Sequence, residues 1–296
     1  MHISITGDLG SGKSTVAKEL CNILNHNYLS TGTIQRQLAE EMGMNTLEFN
    51  KYTNEHSNID DFIDQQLKNI NHQEEFYVLD SRLAFHFVEK SFKVYLTAAD
   101  EVAAQRVLQD KIRIGESSVK SLEEMVIALK ERRVIENQRF EKTYNIKPDI
   151  FSSFDLVVDA STGSVNEVID LILTQYELFK RHKTIHQIWW SPYRLFPTKE
   201  VVDCYKGRVI DLAALDLNVL PPIPVLLFKN DLFCVSDHQA LPYLYQVKSP
   251  FTPVSVKCAK DENSADYKHL KEIFSLKNLT EWEKIYDFTF IHYPKL

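Results

Sequence analysis

The chain has 296 residues, of which 44% are hydrophobic and 25% are charged. This composition is typical of soluble globular proteins and excludes wholesale disorder, while the length suits one large domain or two ordinary ones. Eight glycines and ten prolines exclude a collagen-like or low-complexity chain. The longest apolar stretch, residues 219–228, contains three prolines and predicts no membrane span. Residues 1–7 are typical of a strand rather than of a signal peptide.

The cysteine pattern and the charge distribution narrow the function classes further. Four cysteines stand far apart without a CxxC pair, which predicts neither a zinc site nor a disulfide framework and favours a cytoplasmic location. Residues 1–180 carry a net charge of −9 and residues 181–296 a net charge of +2. The acidic first part argues against a nucleic-acid partner. We also expect no membrane partner, and the sequence leaves the oligomeric state open.

Short apolar runs alternate with helical patterns over the first 180 residues. Ser121 and Ser164, each three residues before a glutamate, fit capping boxes at the start of two helices. The alternation predicts an α/β fold of three layers, with a parallel sheet covered by helices on both faces. The predicted strands are 2–6, 27–29, 76–79, 92–96 and 155–158, and the predicted helices are 13–24, 99–109, 122–142 and 165–180.

The sequence changes in character near residue 183. An aromatic stretch at 185–197 and a proline-rich stretch at 221–224 are followed by a predicted hairpin over 225–235 and a predicted strand at 254–256. We therefore predict two domains, residues 1–183 and residues 184–296, the second being a smaller α+β module.

The first predicted strand is followed by a phosphate-binding loop. The segment fits the pattern G-x-x-x-x-G-K-[ST] at every fixed position and precedes an amphipathic helix. The glycines let the backbone wrap a phosphate chain, and the helix N-terminus supplies positive potential. Lys13 is expected to reach the β- and γ-phosphates of a nucleotide, and Ser14 to hold Mg²⁺. The motif comprises Gly7, Asp8, Leu9, Gly10, Ser11, Gly12, Lys13 and Ser14.

Two polar clusters follow predicted strands and are candidates for the acceptor site. Ser30 and Thr31, with Arg36 about one helical turn on, would suit a phosphorylated ligand, although a helix start capped by Thr33 explains them equally well. Asp80 and Arg82 follow the third strand, where a carboxylate would lie beside the loop and an arginine could bind an anion in bidentate fashion. The alternative for this pair is a salt-bridged loop.

A third cluster is basic. Phosphoryl transfer needs cations around the equatorial oxygens, and arginines on a mobile flap also exclude water. The alternative is a solvated helix face, because Glu131, Glu136 and Glu141 lie nearby. The cluster comprises Arg106, Lys111, Arg113, Arg132, Arg133 and Arg139.

These motifs together resemble the nucleoside monophosphate kinases, and within them the short archaeal-type cytidylate kinases, over roughly residues 1–180. The resemblance implies that ATP is bound by the loop through Thr15. It implies that CMP or dCMP is held by Ser30, Arg36, Asp80 and Arg82, with Thr31 beside them, and that Arg106, Arg113, Arg132 and Arg139 clamp the phosphates. The family's Asp-Gly-Arg-Asp is here Asp80-Ser81-Arg82-Leu83, so its second acid is missing.

The second part resembles, more faintly, the ParB/sulfiredoxin-like fold. The similar pieces are residues 188–197, 222–225, 232–241 and 251–256. Family members often carry Asp-Gly-His-x-Arg where this chain has Asp237-His238-Gln239, without the glycine and the arginine. For Asp237 and His238 we favour a capped helix start over a site. For Trp189 and Trp190 we favour core or interdomain packing over base stacking.

The resulting prediction is an ATP- and Mg²⁺-dependent kinase that transfers a phosphoryl group to a nucleoside monophosphate, CMP or dCMP above all. Two alternatives remain open from the sequence. One is a nucleotide-binding regulatory protein whose second domain is the effector. The other is a P-loop kinase of a small molecule that is not a nucleotide.

Overall fold

A computed structural model describes residues 1–44, 48–49, 52, 57–110, 121–148, 150–201, 221–229, 231–259 and 261–294. The chain divides into two compact units. Unit 1 comprises Met1–Ser161 and Val168–Arg181, and unit 2 comprises Thr162–Glu167 and His182–Leu296. Within the described ranges, none of the helices has the length and hydropathy that a membrane crossing requires.

Unit 1 is built on a parallel sheet. Its strands are β1 (His2–Gly7), β2 (Asn27–Ser30), β3 (Tyr77–Asp80), β4 (Ser91–Thr97) and β5 (Leu156–Asp159), in the order β2-β3-β1-β4-β5. All four pairings between neighbours are parallel. The helices are α1 (Lys13–Leu24), α2 (Thr31–Glu41), α3 (Ser57–Ile70), α4 (Ala84–Phe87), α5 (Asp100–Gln109), α6 (Leu122–Tyr144) and α7 (Val165–Lys180).

The apolar pattern explains why these segments fold as they do. Every residue of β1 and β5 is buried, as expected of strands in a parallel sheet with both faces covered. Helix α1 buries one face through Val16, Leu20 and Cys21, which recur with helical spacing. The predicted parallel α/β architecture is therefore confirmed, with strand ends shifted by at most one residue.

The caps of the helices were only partly predicted. Ser121 accepts a hydrogen bond from the Glu124 amide, and Ser164 and Glu167 exchange the full set of capping-box bonds. The expectation of a cap at Thr33 is wrong. Ser30 caps α2 instead and accepts a hydrogen bond from the Thr33 amide, so the helix begins three residues earlier than a cap at Thr33 would place it.

Unit 2 is a mixed sheet with short helices. Its strands are β6 (Ile188–Trp190), β7 (Leu195–Pro197), β8 (Ile223–Phe228), β9 (Asp231–Cys234) and β10 (Thr252–Cys258), in the order β6-β10-β8-β9-β7. The pairs β8·β9 and β6·β10 are antiparallel, and β10·β8 and β7·β9 are parallel. The helices are α8 (Leu241–Gln246), α9 (Ala265–Ile273) and α10 (Leu276–Tyr286).

The outcome of the predictions in unit 2 is mixed. The hairpin β8–β9 is confirmed, and Trp189 and Trp190 are buried as core residues. The side-chain cap expected at Asp237 is wrong: this residue has φ of 57° before a single 3₁₀ turn and makes no capping bond. Its carboxylate accepts hydrogen bonds from Ser236 and Gln239 instead.

Candidate functional site

The phosphate-binding loop connects β1 to α1 in the place that the motif predicts. Gly10 and Gly12 adopt left-handed backbone conformations, with φ of 77° and 93°, which glycine adopts without steric cost. A Cβ at Gly10 would also lie 2.5 Å from the backbone oxygen of Ala103. The loop therefore requires glycine at these positions for its shape.

Lys13 folds back onto its own loop. Its Nζ donates a hydrogen bond of 3.0 Å to the Asp8 backbone oxygen, which also accepts one of 2.8 Å from the Ser11 hydroxyl. Burial, together with the neighbouring Arg82 guanidinium, lowers the pKa of Lys13 to about 8. Asp80, Asp8 and Glu136 only partly oppose this fall, and a bound phosphate chain would add further negative charge beside the ammonium.

Ser14 and Asp80 place two hard oxygen atoms together beside the loop. The Ser14 hydroxyl donates a hydrogen bond of 2.6 Å to Asp80 Oδ2, and Tyr28 donates to the same oxygen at 3.1 Å. The register of the sheet explains this, because Asp80 aligns with Ile5 of β1 and with Ser30 of β2. Burial and the Asp80 carboxylate raise the pKa of Tyr28 to about 12, which keeps the phenol protonated as a donor.

Hydroxyl and carboxylate oxygens are ligands that Mg²⁺ accepts, so Ser14 and Asp80 fit this ion. Within the described part of the chain, His, Cys, Asp and Glu form no cluster of three or more that would hold a metal alone. Mg²⁺ is usually bound by one or two protein oxygens together with substrate phosphates and water, and the pair suits that arrangement.

Arg82 joins the loop to helix α6. Its Nη1 donates a hydrogen bond of 2.9 Å to the Gly7 oxygen, and its Nη2 forms a 2.5 Å ion pair with Glu136. Glu136 also accepts a 2.8 Å hydrogen bond from Arg132 Nε. Although burial opposes ionisation, Arg82 and Arg132 hold the pKa of Glu136 below its ordinary value. The salt-bridged arrangement considered for Arg82 is therefore present.

The remaining arginines differ in the groups that they contact. Arg106 donates hydrogen bonds to the backbone oxygens of Ser11, at 3.4 Å, and Ala160, at 2.8 Å. Arg36 is exposed and donates to the Thr33 hydroxyl, and the Arg139 guanidinium lies 5.7 Å from the centre of the Phe140 ring. Arg113 and Lys111 lie outside the described residues.

The other predicted residues form the rest of the loop and the start of α2. Ser30 is buried, Thr31 is half-buried as the first residue of α2, and Thr15 is exposed on α1. Asp8 and Leu9 are buried. The structure thus gathers Ser30, Asp80 and the loop at adjacent strand ends.

A buried network around Asp8 was missed in the sequence. The Asp8 carboxylate accepts hydrogen bonds from the hydroxyls of Tyr95, at 2.9 Å, and Thr97, at 2.6 Å. Arg133 Nε lies 3.3 Å from the same carboxylate. Asp8 occupies a variable position of the motif, so the pattern carries no expectation for its side chain. In the sequence, the pair Arg132-Arg133 was the signal for this network. In the structure Arg132 pairs with Glu136, whereas Arg133 pairs with Asp8.

Known proteins match the same part of the chain. A family model described as an AAA domain matches residues 3–124. A cytidylate kinase of Pyrobaculum islandicum is 35% identical over 178 residues, which cover 58% of this chain and 90% of that protein. A cytidylate kinase of Haloarcula marismortui is 36% identical over 181 residues, covering 60% and 91%.

Through this part, the chain belongs to the cytidylate kinase family. Its P-loop and its parallel sheet are thus those of a P-loop kinase of the nucleoside monophosphate kinase type. ATP and Mg²⁺ binding follow in general from such a domain.

Two further matches extend the comparison. An S-adenosylmethionine-dependent nucleotide dehydratase of Lacinutrix mariniflava is 32% identical over 176 residues, which cover 59% of this chain and 36% of that protein. A solved shikimate kinase from Bacteroides thetaiotaomicron matches with a TM-score of 0.43 at 16% identity, covering 61% of this chain and 98% of that chain. The first of these two matches shows that a segment similar to this part of the chain also occurs in a longer protein, the dehydratase.

Proposed function

We propose that this member of the cytidylate kinase family transfers the γ-phosphoryl group of ATP to CMP or dCMP. The observation that carries the proposal is the convergence of Lys13, the Ser14–Asp80 pair and Arg82 at one edge of the sheet. The two cytidylate kinases that the chain covers to 90% and 91% support cytidylate as the acceptor.

The residues divide the work of phosphoryl transfer among them. Lys13 binds the β- and γ-phosphates, and its ammonium offsets charge that develops on the transferring group. Ser14 and Asp80 would hold Mg²⁺, which neutralises charge on the β- and γ-phosphates when it is bound. Arg82, Arg106 and Arg132 supply further positive charge around the loop, and no covalent enzyme intermediate is needed. We include Arg113 and Arg139 in the phosphate clamp on the strength of the family resemblance.

The acceptor site is proposed beside the donor site. Ser30 ends β2 next to Asp80, and Arg36 lies one turn into the helix that Ser30 caps. The exposed Arg36 guanidinium is available to the acceptor phosphate, since its hydrogen bond to Thr33 is local and solvent-exposed. Ser30, Thr31, Asp80 and Arg82 would then contact the nucleoside monophosphate.

A coupled assay of ADP release over CMP, dCMP, UMP, AMP and GMP tests the acceptor directly. We expect the highest kcat/KM with CMP or dCMP. A preference for AMP or GMP would contradict the acceptor assignment. ATP binding without turnover on any monophosphate would favour a nucleotide-binding regulatory protein. ADP release with an acceptor that is not a nucleotide would favour a P-loop kinase of another small molecule.

Variants on the first two helices separate donor from acceptor. Arg36→Ala should raise the KM for CMP and leave the KM for ATP within about twofold. Lys18→Ala is the matched control, because Lys18 is an exposed cation of helix α1 and carries no proposed role. A change in the KM for ATP alone in Arg36→Ala would show that this arginine serves the donor.

We further propose that residues 1–183 form the kinase domain and residues 184–296 an accessory module of the ParB/sulfiredoxin-like type. The functional residues of the proposal all precede residue 140, and helix α7 ends at Lys180. A fragment of residues 1–183 should therefore melt cooperatively and phosphorylate its acceptor at a rate comparable with the full chain. A folded fragment without activity would show that the second part is needed for catalysis.

A further inference from the structure

Asp8 places a negative charge in a loop whose expected ligand is a polyanion. Asp8 is only 5% exposed, and its carboxylate accepts hydrogen bonds from Tyr95 and Thr97 of β4. A buried carboxylate beside bound phosphates repels them unless a cation compensates its charge. The motif's own cation, Lys13, is expected to bind the phosphates, so the Asp8 carboxylate needs a counter-charge from outside the motif.

Arg133 of helix α6 is placed to supply that charge. Its Nε lies 3.3 Å from Asp8 Oδ1, and its Nη2 donates a 3.4 Å hydrogen bond to Asp100 Oδ1. Burial lowers the pKa of Arg133, but the carboxylates of Asp8 and Asp100 raise it above its ordinary value, so the guanidinium stays charged. Lys130, one turn earlier on α6, pairs with the other oxygen of Asp100 at 3.0 Å. Asp100 thus has a second cation, whereas the ion pair of Asp8 within the described residues is with Arg133.

The same face of α6 also packs on the loop through apolar contacts. Leu9 shares a buried cluster with Met125 and Leu129, and Arg133 follows at the next four-residue step. Residues four apart lie on one face of a helix, so the apolar cluster and the ion pair form a continuous contact. Two adjacent loop residues, Asp8 and Leu9, are thereby fixed to α6.

We propose that Arg133 is the counter-charge and the positioning residue of the phosphate-binding loop, and that its pair with Asp8 sets the affinity for the nucleotide polyphosphate. Arg133 acts through Asp8 and not by contact with the nucleotide. The proposal rests on the proposed function only for nucleotide binding at the loop. It is independent of which acceptor is phosphorylated, and binding measurements test it without turnover.

Calorimetric titration of the full chain with ATP and Mg²⁺ tests the proposal. Arg133→Met leaves the Asp8 charge uncompensated and should weaken ATP binding roughly tenfold, the effect of one charge about 10 Å away at an effective dielectric constant near 20. The double variant Asp8→Asn/Arg133→Met removes both charges. It should restore the Kd to within about threefold of the wild type, because the uncompensated charge of Asp8 is then gone as well.

Lys130→Met is the matched control, since it removes a cation from the same helix without touching Asp8. It should change the Kd for ATP less than twofold. Arg133→Lys keeps the charge and should bind ATP more tightly than Arg133→Met. Where Arg133→Met does not fold, the comparison is with Arg133→Gln, which also lacks the charge. In the kinase assay, Arg133→Met should show a raised KM for ATP with an unchanged KM for the acceptor.

Three outcomes would overturn the proposal. One is an Arg133→Met variant that binds ATP within twofold of the wild type. Another is a double variant no better than Arg133→Met, which would make the arginine a merely structural residue. The third is an Arg133→Lys variant that binds ATP as weakly as a folded Arg133→Met or, where that variant does not fold, as weakly as Arg133→Gln.

Discussion

Replacing Lys13 by Met should stabilise the ligand-free protein while abolishing its turnover. The ammonium is buried beside Arg82, which repels it, and in the proposed function it binds phosphate. Met has a similar length and no charge, so it removes the cost of burying the ammonium together with the catalytic cation. Stability and activity are thus expected to change in opposite directions at one residue.

The magnitude follows from the pKa of the side chain. A fall from 10.5 to about 8 corresponds to about 3 kcal/mol of unfavourable free energy for the charged form in the folded state. The hydrogen bond from Nζ to the Asp8 oxygen offsets part of this, by about 1–2 kcal/mol. Lys13→Met should therefore raise the free energy of unfolding by about 1–2 kcal/mol at pH 7.

The effect should depend on pH with a definite sign. Below pH 8 the lysine is charged in both the folded and the unfolded protein, so the full cost is present. Between pH 8 and 10.5 the folded protein loses this proton first, and the cost disappears. The advantage of Lys13→Met over the wild type should shrink across that range, leaving the wild type at least as stable near pH 10.5.

Urea denaturation followed by far-UV circular dichroism at pH 7 and pH 10 measures this difference. All three tryptophans, at positions 189, 190 and 282, lie in unit 2. Tryptophan fluorescence therefore reports on unit 2 and serves as an internal control that should not change between the variants. A Lys13→Met protein less stable than the wild type at pH 7, or a difference independent of pH, would refute the reasoning.

Three other predictions concern single contacts. Tyr28→Phe removes one of the donors to Asp80 and should weaken Mg²⁺-dependent ATP binding severalfold in calorimetric titrations, while binding without Mg²⁺ stays unchanged. Burial lowers the pKa of His238 to about 4. The free energy of unfolding of unit 2, followed by tryptophan fluorescence, should thus not depend on this group above pH 6.5. It should fall by up to about 3 kcal/mol between pH 6.5 and 4, and this fall should be absent in His238→Gln. Gly163→Ala would place a Cβ 2.3 Å from the Phe251 ring and should lower the thermal midpoint of the same unit by costing about 1–3 kcal/mol, and an unchanged midpoint would contradict the contact.

Much of unit 1 could be predicted because its signals are local. The strand and helix periods, the glycine pattern of the loop and the serine caps each depend on residues within one or two turns of one another. Helix α1 begins at Lys13 and ends at Leu24 as its apolar spacing predicts, and helix α7 likewise keeps its predicted bounds. The parallel sheet then follows from the alternation of the two kinds of element.

Unit 2 was less predictable from its sequence. Its short strands β6 and β7 contain three residues each, which is too few for a period to show. The positive φ of Asp237 reverses the expectation of a side-chain cap, since an N-cap residue normally has an extended backbone. Neither feature is visible in local composition.

The chemical partners in the site were decided by the tertiary structure. Asp80 meets Ser14 because the register of β3 against β1 brings together residues 66 positions apart, and Arg82 meets Glu136 across 54 positions. Asp8 is bound by Tyr95 and, from α6, by Arg133. The sequence determined the loop and the phosphate chemistry, because the motif is contiguous. Only the fold decided which acid neutralises which cation, because ion pairs form between side chains that sheet register and helix packing bring together.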